Sequence, residues 1–203
     1  MRLAAGGVAG EPLAYVLVGD GRTDAKVLGA ICEKYDRRAA LVHPEVPLHR
    51  GRTGLAVVDT LTVLFDQLQR GLRFLVILDK ELVGRAGDFL ASLRERGFAV
   101  LSVEECSRGC WLIDVERGGK RGLVVLSVQG ERKSIEENLA KLARLITGDE
   151  VAPSKHSLKK WLREHGYRSW RELLESARRE DVEEAFPSMT SALRALLSLL
   201  AEA

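Results

Sequence analysis

The chain has 203 residues, 46% hydrophobic and 30% charged, with a formal net charge of +2. These proportions belong to a folded globular protein and exclude a disordered one. A charge so near neutrality excludes nucleic-acid binding through bulk charge and leaves it to local patches.

No run reaches the ~18 apolar residues of a membrane span. The opening MRLAAGGVAGEP lacks the apolar core of a secretory signal and reads as a loose leader of a cytoplasmic protein. The cysteines are three, Cys32, Cys106 and Cys110. An odd, small number argues against a disulfide framework, and no further ligands near Cys106 and Cys110 complete a zinc set. The spacing of Cys106 and Cys110 allows a disulfide between them, but two reduced, partly buried thiols are the expectation.

In chain order, Leu13 to Gly19 is a short apolar run bounded by Pro12 and a Gly-Asp-Gly turn, and predicts a buried strand. Thr23 is placed to cap the helix that follows, with Asp24 suited to its positive end. Ala25, Leu28, Ile31, Cys32 and Tyr35 form that helix's apolar stripe. Ala39 to His43 predicts a second strand, and Pro44 and Pro47 a loop after it. A helix from Thr53 carries Leu55, Val58, Leu61, Leu64, Phe65 and Leu68 and ends near Gly71. Phe74 to Leu78 predicts a strand running into Asp79-Lys80-Glu81. A helix over about Gly87 to Arg96 stops at Gly97, and Phe98 to Val103 predicts another strand.

This alternation predicts an α/β fold, with a mostly parallel sheet flanked by helices on both faces. Beyond it, Trp111 to Val115 and Gly122 to Val128 predict a β-hairpin around a glycine-rich turn. Ser134 with Glu137 reads as a capping box. Helices follow over about Ser134–Thr147, Ser157–His165, Ser169–Ala177 and Ser188–Glu202. Residues 1–203 are read as one domain, with an α/β core over 13–103 and a hairpin plus helical C-terminal lobe over 104–203. Leu193, Leu196, Leu197 and Leu200 are expected to close the core.

Ligands of such sheets sit beyond the carboxyl ends of the strands. Asp20 follows the first strand, and Asp79 and Glu81 follow the third, so the acids are expected on one edge. Asp79 and Glu81, two apart in an extended chain, are expected to point the same way. Such carboxylates suit Mg²⁺ or Mn²⁺, which polarises a phosphodiester and activates water. Taken singly, each carboxylate also fits a turn or a helix end.

The pair of segments Tyr15-Val-Leu-Val-Gly-Asp20-Gly-Arg-Thr-Asp24 and Phe74-Leu-Val-Ile-Leu-Asp79-Lys-Glu81 resembles the Toprim fold. That fold is shared by topoisomerases, DnaG-type primases and overcoming-lysogenization-defect nucleases. The resemblance covers about Leu13 to Val103. It implies a Mg-dependent phosphoryl-transfer or nuclease-type protein acting on nucleic acid, with Asp20, Asp79 and Glu81 as metal ligands and Asp20 also handling a proton. The family's glutamate aligns with Asp20, and its second aspartate with Glu81. Each departure changes the reach by one methylene, to which proton transfer is more sensitive than metal binding. The alternative is a catalytically degenerate Toprim-like module that binds nucleic acid or protein.

Gly19-Asp20-Gly21-Arg22-Thr23-Asp24 also matches a motif of haloacid-dehalogenase-type phosphatases. There it comes late, after a DxDx[TV] nucleophile; here it comes first with no such segment before it. The string lacks the features of a P-loop or a dinucleotide fingerprint. Arg22, Arg50 and Arg52 are candidate phosphate contacts, with His49 beside the last two. Arg117, Lys120 and Arg121 form a basic hairpin tip suited to a nucleic-acid groove or to solvent. Lys155, His156, Lys159 and Lys160 surround Trp161, which is expected to pack inward with Leu158.

Overall fold

The computed structural model describes residues 1–5, 11–19, 22–35, 39–44, 54–70 and 72–201, with the side chains of 22, 200 and 201 excepted. Seven strands form one sheet: β1 (Arg2–Ala5), β2 (Ala14–Val18), β3 (Ala40–His43), β4 (Arg73–Asp79), β5 (Ala99–Ser107), β6 (Cys110–Arg117) and β7 (Lys120–Gln129). Eight α-helices lie among the described residues: α1 (Arg22–Cys32), α2 (Val57–Gln67), α3 (Ala86–Glu95), α4 (Ile135–Thr147), α5 (Lys155–Glu164), α6 (Trp170–Ser176), α7 (Arg179–Ala185) and α8 (Pro187–Ala201). No helix among the described residues is long and apolar enough to cross a membrane.

The strand order is β1-β3-β2-β4-β7-β6-β5. Neighbours from β1 to β7 pair in parallel, whereas β6 pairs antiparallel with both β7 and β5. Every strand but β6 therefore points one way, and the mostly parallel sheet expected from the alternation is present. The sheet is covered on both faces. Val16, Leu75, Ile77 and Val125 face a cluster made with α1 and α4 to α8. Leu17, Phe74, Val76, Leu78, Val124 and Leu126 face a cluster made with α2 and α3. Burial on both faces explains why β4 and β7 are near-continuous apolar runs.

Several expectations need correction. Arg2–Ala5 is an edge strand in register with Ala40–His43, not part of a loose leader. The Met1 amino group donates to the Tyr35 carbonyl at 2.8 Å. Helix α1 already includes Arg22, so Thr23 lies inside its first turn and is not the cap. The hairpin expected beyond the α/β core lies within its sheet, with β7 and β6 between β4 and β5. The hairpin is thus the middle of the sheet and not an appendage to it. Helix α7 had no counterpart among the expected elements; its charged sequence REDVEEA exposes little of an apolar stripe. The sulfurs of Cys106 and Cys110 are bonded to each other across the β5–β6 turn, where reduced thiols were expected. Cys110 directly follows the Arg108–Gly109 turn and Cys106 stands two residues before it, with the Cα atoms 5.6 Å apart, within reach of a bridge.

Leu193 and Leu196 are fully buried, so α8 closes the core as expected.

Candidate functional site at the carboxyl edge

From β2 the chain runs through α1 to β3 on one side; from β3 it runs through α2 to β4 on the other side. Helices α1 and α2 belong to opposite faces. The order therefore reverses between β2 and β4, and the carboxyl ends of these two strands flank a topological switch point. In open α/β sheets the ligand crevice lies at that position.

Gly19 ends the described part of β2's exit. Its amide donates to the Ile77 carbonyl at 2.9 Å, and its carbonyl accepts from the Gly54 amide at 2.8 Å. A Cβ on Gly19 would stand 2.2 Å from Leu78 Cδ2. The ends of β2, β4 and the lead-in to α2 are thus packed without space between them.

Asp79 is the last residue of β4 and is 6% exposed. Its Oδ1 accepts from the Ile135 amide at 2.9 Å, in the first turn of α4. That is a helix-cap bond. Ser134, expected to make it, makes no cap bond and donates instead to Glu136 Oε2 at 2.7 Å. Glu137 turns outward from the capping box: its Oε2 accepts from the amides of Glu131, Arg132 and Lys133. Burial pushes the Glu137 carboxyl up, but these amides and the Arg132 charge outweigh burial and hold it below the ordinary glutamate range.

Glu81 does not sit beside Asp79 as two residues of an extended strand would. β4 stops at Asp79, and Lys80 to Leu82 form a turn closed by the Leu82 amide on the Asp79 carbonyl at 3.0 Å. Glu81 is exposed, and its Oε2 lies 3.9 Å from Lys133 Nζ. Lys80 Nζ donates to the Gly84 carbonyl at 2.8 Å. Asp24 is 4% exposed in the first turn of α1. Asp20, Arg50 and Arg52, with His49, lie outside the described residues, as does the Arg22 side chain. Among the described residues, no three His, Cys, Asp or Glu side chains gather as a metal-ion group.

A residue that pattern reading passed over stands next to Asp79. Gln129 is its register partner at the end of β7, on the same face of the sheet, and is fully buried. Its Nε2 donates to Ser127 Oγ at 2.7 Å; Ser127 Oγ meets Ser188 Oγ at 2.9 Å; and Ser188 Oγ donates to the Gly109 carbonyl at 2.5 Å. Gln129 Oε1 is buried and has no hydrogen-bond partner among the described residues. The signal was the alternation Ser127, Gln129 at the end of an apolar run, which puts two polar side chains on one buried face.

Beyond this edge lies a cleft of about 750 Å³, bounded by Arg108 and Gly109, Gly130 to Arg132, α4 and the start of α8. Lys141 and Arg144 in its wall are paired with Glu184 and Glu150. Arg108 and Arg132 make no ion pair among the described residues. The basic hairpin tip, by contrast, is engaged within the molecule. Lys120 Nζ donates to the carbonyls of Phe65, Asp66 and Leu68 at the end of α2, Arg117 pairs with Asp66, and Arg121 with Glu116. In the other basic cluster, Lys155 pairs with Glu136 and Lys160 with Glu164, while Trp161 and Leu158 are buried as expected.

Compared with protein-family models, with curated proteins and with solved structures, the chain matches none.

Proposed function

We propose that the carboxyl edge of β2, β4 and β7 is a Toprim-like site for Mg²⁺ or Mn²⁺, used in phosphoryl transfer or strand cleavage on a nucleic acid. The observation that carries this reading is the buried polar pair Asp79 and Gln129 beside the switch point, at the carboxyl ends of two largely apolar strands. Within the pair, Gln129 Oε1 is buried with no hydrogen-bond partner among the described residues, which leaves one acceptor at this edge open to a ligand. A carboxylate and an amide oxygen are hard donors of the kind Mg²⁺ accepts. Asp20, which directly follows Gly19, would supply the second carboxylate and the proton-handling group. Glu81 contributes only through a change of the Lys133 pair and the 80–82 turn, so it is the weakest member of the set. The bound ion would supply charge stabilisation at the phosphoryl oxygens. Arg22, Arg50 and Arg52, with Arg108 and Arg132 in the cleft, would hold phosphate.

A second reading has its own observation. Asp79 Oδ1 is spent on α4, which is what a purely structural carboxylate does. In that case the edge is a degenerate module that binds nucleic acid or protein through the cleft without metal.

Titration calorimetry with Mg²⁺ and Mn²⁺ separates the two. Wild type is expected to bind, and Asp79→Asn to bind at least tenfold more weakly, because asparagine keeps an acceptor for Ile135 but loses the charge. Equal affinity in both proteins, or no binding in wild type with nucleic acid present, would leave the second reading standing.

A further inference from the structure

In a regular hairpin Cys106 and Cys110 could not meet. Ser107 stands opposite Cys110 across the Arg108–Gly109 turn, so Cys106 would stand opposite Trp111, on the other face of the sheet. Trp111 indeed packs against the cluster made with α2 and α3. The pairing, however, steps from Ser107 and Cys110 directly to Glu105 and Trp111, which leaves Cys106 as the extra residue of a β-bulge. A bulge re-aims a side chain. Here it turns Cys106 onto the face of Cys110, where both pack in the cluster that holds Met189 and Leu193 of α8 and where their sulfurs are bonded.

The turn that this bond closes has little backbone preference of its own. Gly109 has a φ of +83°, whereas Arg108 has a negative one. That is neither of the two-residue turns whose twist matches the strands of a hairpin. What holds the turn comes from outside it. The Gly109 carbonyl accepts from the Val128 amide at 2.8 Å and from Ser188 Oγ, and the bridge ties the bulge to the first residue of β6. Arg108 and Gly109 are wall of the cleft, and Arg108 makes no ion pair among the described residues. The bridge therefore sets where a free cation stands in that wall. Its two sulfurs also differ in access: Cys110 is fully buried, and Cys106 only partly.

We propose that Cys106–Cys110 is a reversible redox site, opened by a dithiol and closed by a disulfide oxidant, that releases and locks the Arg108–Gly109 wall of the cleft. A thiolate of the dithiol attacks Cys106 Sγ, the accessible sulfur. The Sγ–Sγ bond breaks, and Cys110 leaves as a thiolate that takes up a proton. The dithiol's second thiolate then attacks its own sulfur in the mixed disulfide, and Cys106 leaves and is protonated in turn. The protein gains two electrons and two protons, and the dithiol becomes a disulfide. The sheet outlasts the opening, because the β6–β7 ladder from Cys110 and Ser127 to Arg117 and Lys120 does not run through the bridge. The inference rests neither on Asp79 nor on any metal.

The test uses the native full chain, dithiothreitol as the dithiol and its oxidised form as the oxidant. Reduction is expected to expose Cys106 to alkylation before Cys110 and Cys32, both buried, with the circular dichroism unchanged. Exchange of the Val128 amide, read by NMR, is expected to become roughly tenfold faster or more on reduction, while that of the buried Val125 amide stays the same. The oxidised reagent is expected to restore the slow rate. Cys106→Ser, which cannot close the bridge, is expected to show the fast Val128 rate with or without dithiothreitol. Four results would overturn the proposal. They are a bridge that opens only on unfolding, an oxidant that does not close it, Val128 exchange equal in the two states or as slow in Cys106→Ser as in oxidised wild type, and Val125 exchange that rises together with Val128.

Discussion

The bond from the Ile135 amide to Asp79 Oδ1 gives Asp79 a structural duty that can be separated from a metal duty by one atom. Asp79→Ala leaves a buried amide unpaired and removes a helix cap, which costs about 2–3 kcal/mol. Asp79→Asn keeps an oxygen at the same place and is expected to cost under about 1 kcal/mol. Urea denaturation of the two variants checks the difference; equal losses would show that charge, not the hydrogen bond, holds α4. Glu137 carries a related expectation with pH. Its pKa is lowered in the folded protein, so its contribution is fully present at pH 7 and is lost as the pH falls through that lowered value. Urea midpoints of wild type are expected to fall more steeply on acidification than those of Glu137→Gln. The place of Asp79 at the end of a strand was legible because it closes an apolar run. The cap was not, because it joins residues 56 positions apart through a strand neighbour that only the fold creates. The Ser134-to-Glu137 spacing marked the helix start, with Ser134 at the N-cap, but Ser134 bonds Glu136 and Glu137 bonds the 131–133 amides, so the box itself does not form.

At the scale of elements, the apolar runs showed where strands lie but not which strands are neighbours. β5 follows β4 in the chain through α3, and that connection is compatible with adjacency. The hairpin displaces β5 because β7, with Val124, Val125 and Leu126 fully buried, is more apolar on both faces than β5. The strand with the exposed pattern goes to the edge. Gly122 is what lets β7 enter. A Cβ there would stand 2.6 Å from the Leu72 carbonyl oxygen and 2.7 Å from Phe65 Cε2. The first of these is backbone and cannot rotate away. Gly122→Ala is therefore expected to destabilise by about 1–3 kcal/mol, as overpacking does, measured by the shift of the denaturation midpoint. The β5–β6 bridge gives a second expectation. Burial pushes the Cys32 thiol up to about 12, so the native protein is expected to resist alkylation. Unfolded without reductant it should take one label, and with reductant three. Three labels without reductant would mean that Cys106 and Cys110 are thiols after all.

At the scale of the whole molecule, the question is whether the C-terminal helices form a lobe or part of the core. Composition shifts near Thr147 to Pro153, which is where a boundary was legible. Packing crosses that point without a break. Leu158, Trp161, Leu173, Leu174, Phe186, Met189, Leu193 and Leu196 belong to the same buried cluster as Val16, Ile77 and Val125 of the central strands and Ile31 of α1. Lys34 Nζ also donates to the Ala177 carbonyl at 2.7 Å, and Ser188 closes the polar chain from Gln129. Removing residues 149–203 would uncover the part of that face covered by α5 to α8, with each lost large side chain worth about 1.5–3 kcal/mol of burial. That sum exceeds the 5–15 kcal/mol by which domains of this kind are stable. A 1–148 fragment is therefore expected to lack cooperative unfolding, and the full chain to unfold in one transition. In a Trp111→Phe background, Trp161 and Trp170 emission reports the helical part, and far-ultraviolet circular dichroism the whole chain. Coincident denaturant curves from the two are the expected outcome. Two separated midpoints would show that the helices fold by themselves, and the switch-point edge would then be built by the first half of the chain without Ser188 or the cleft.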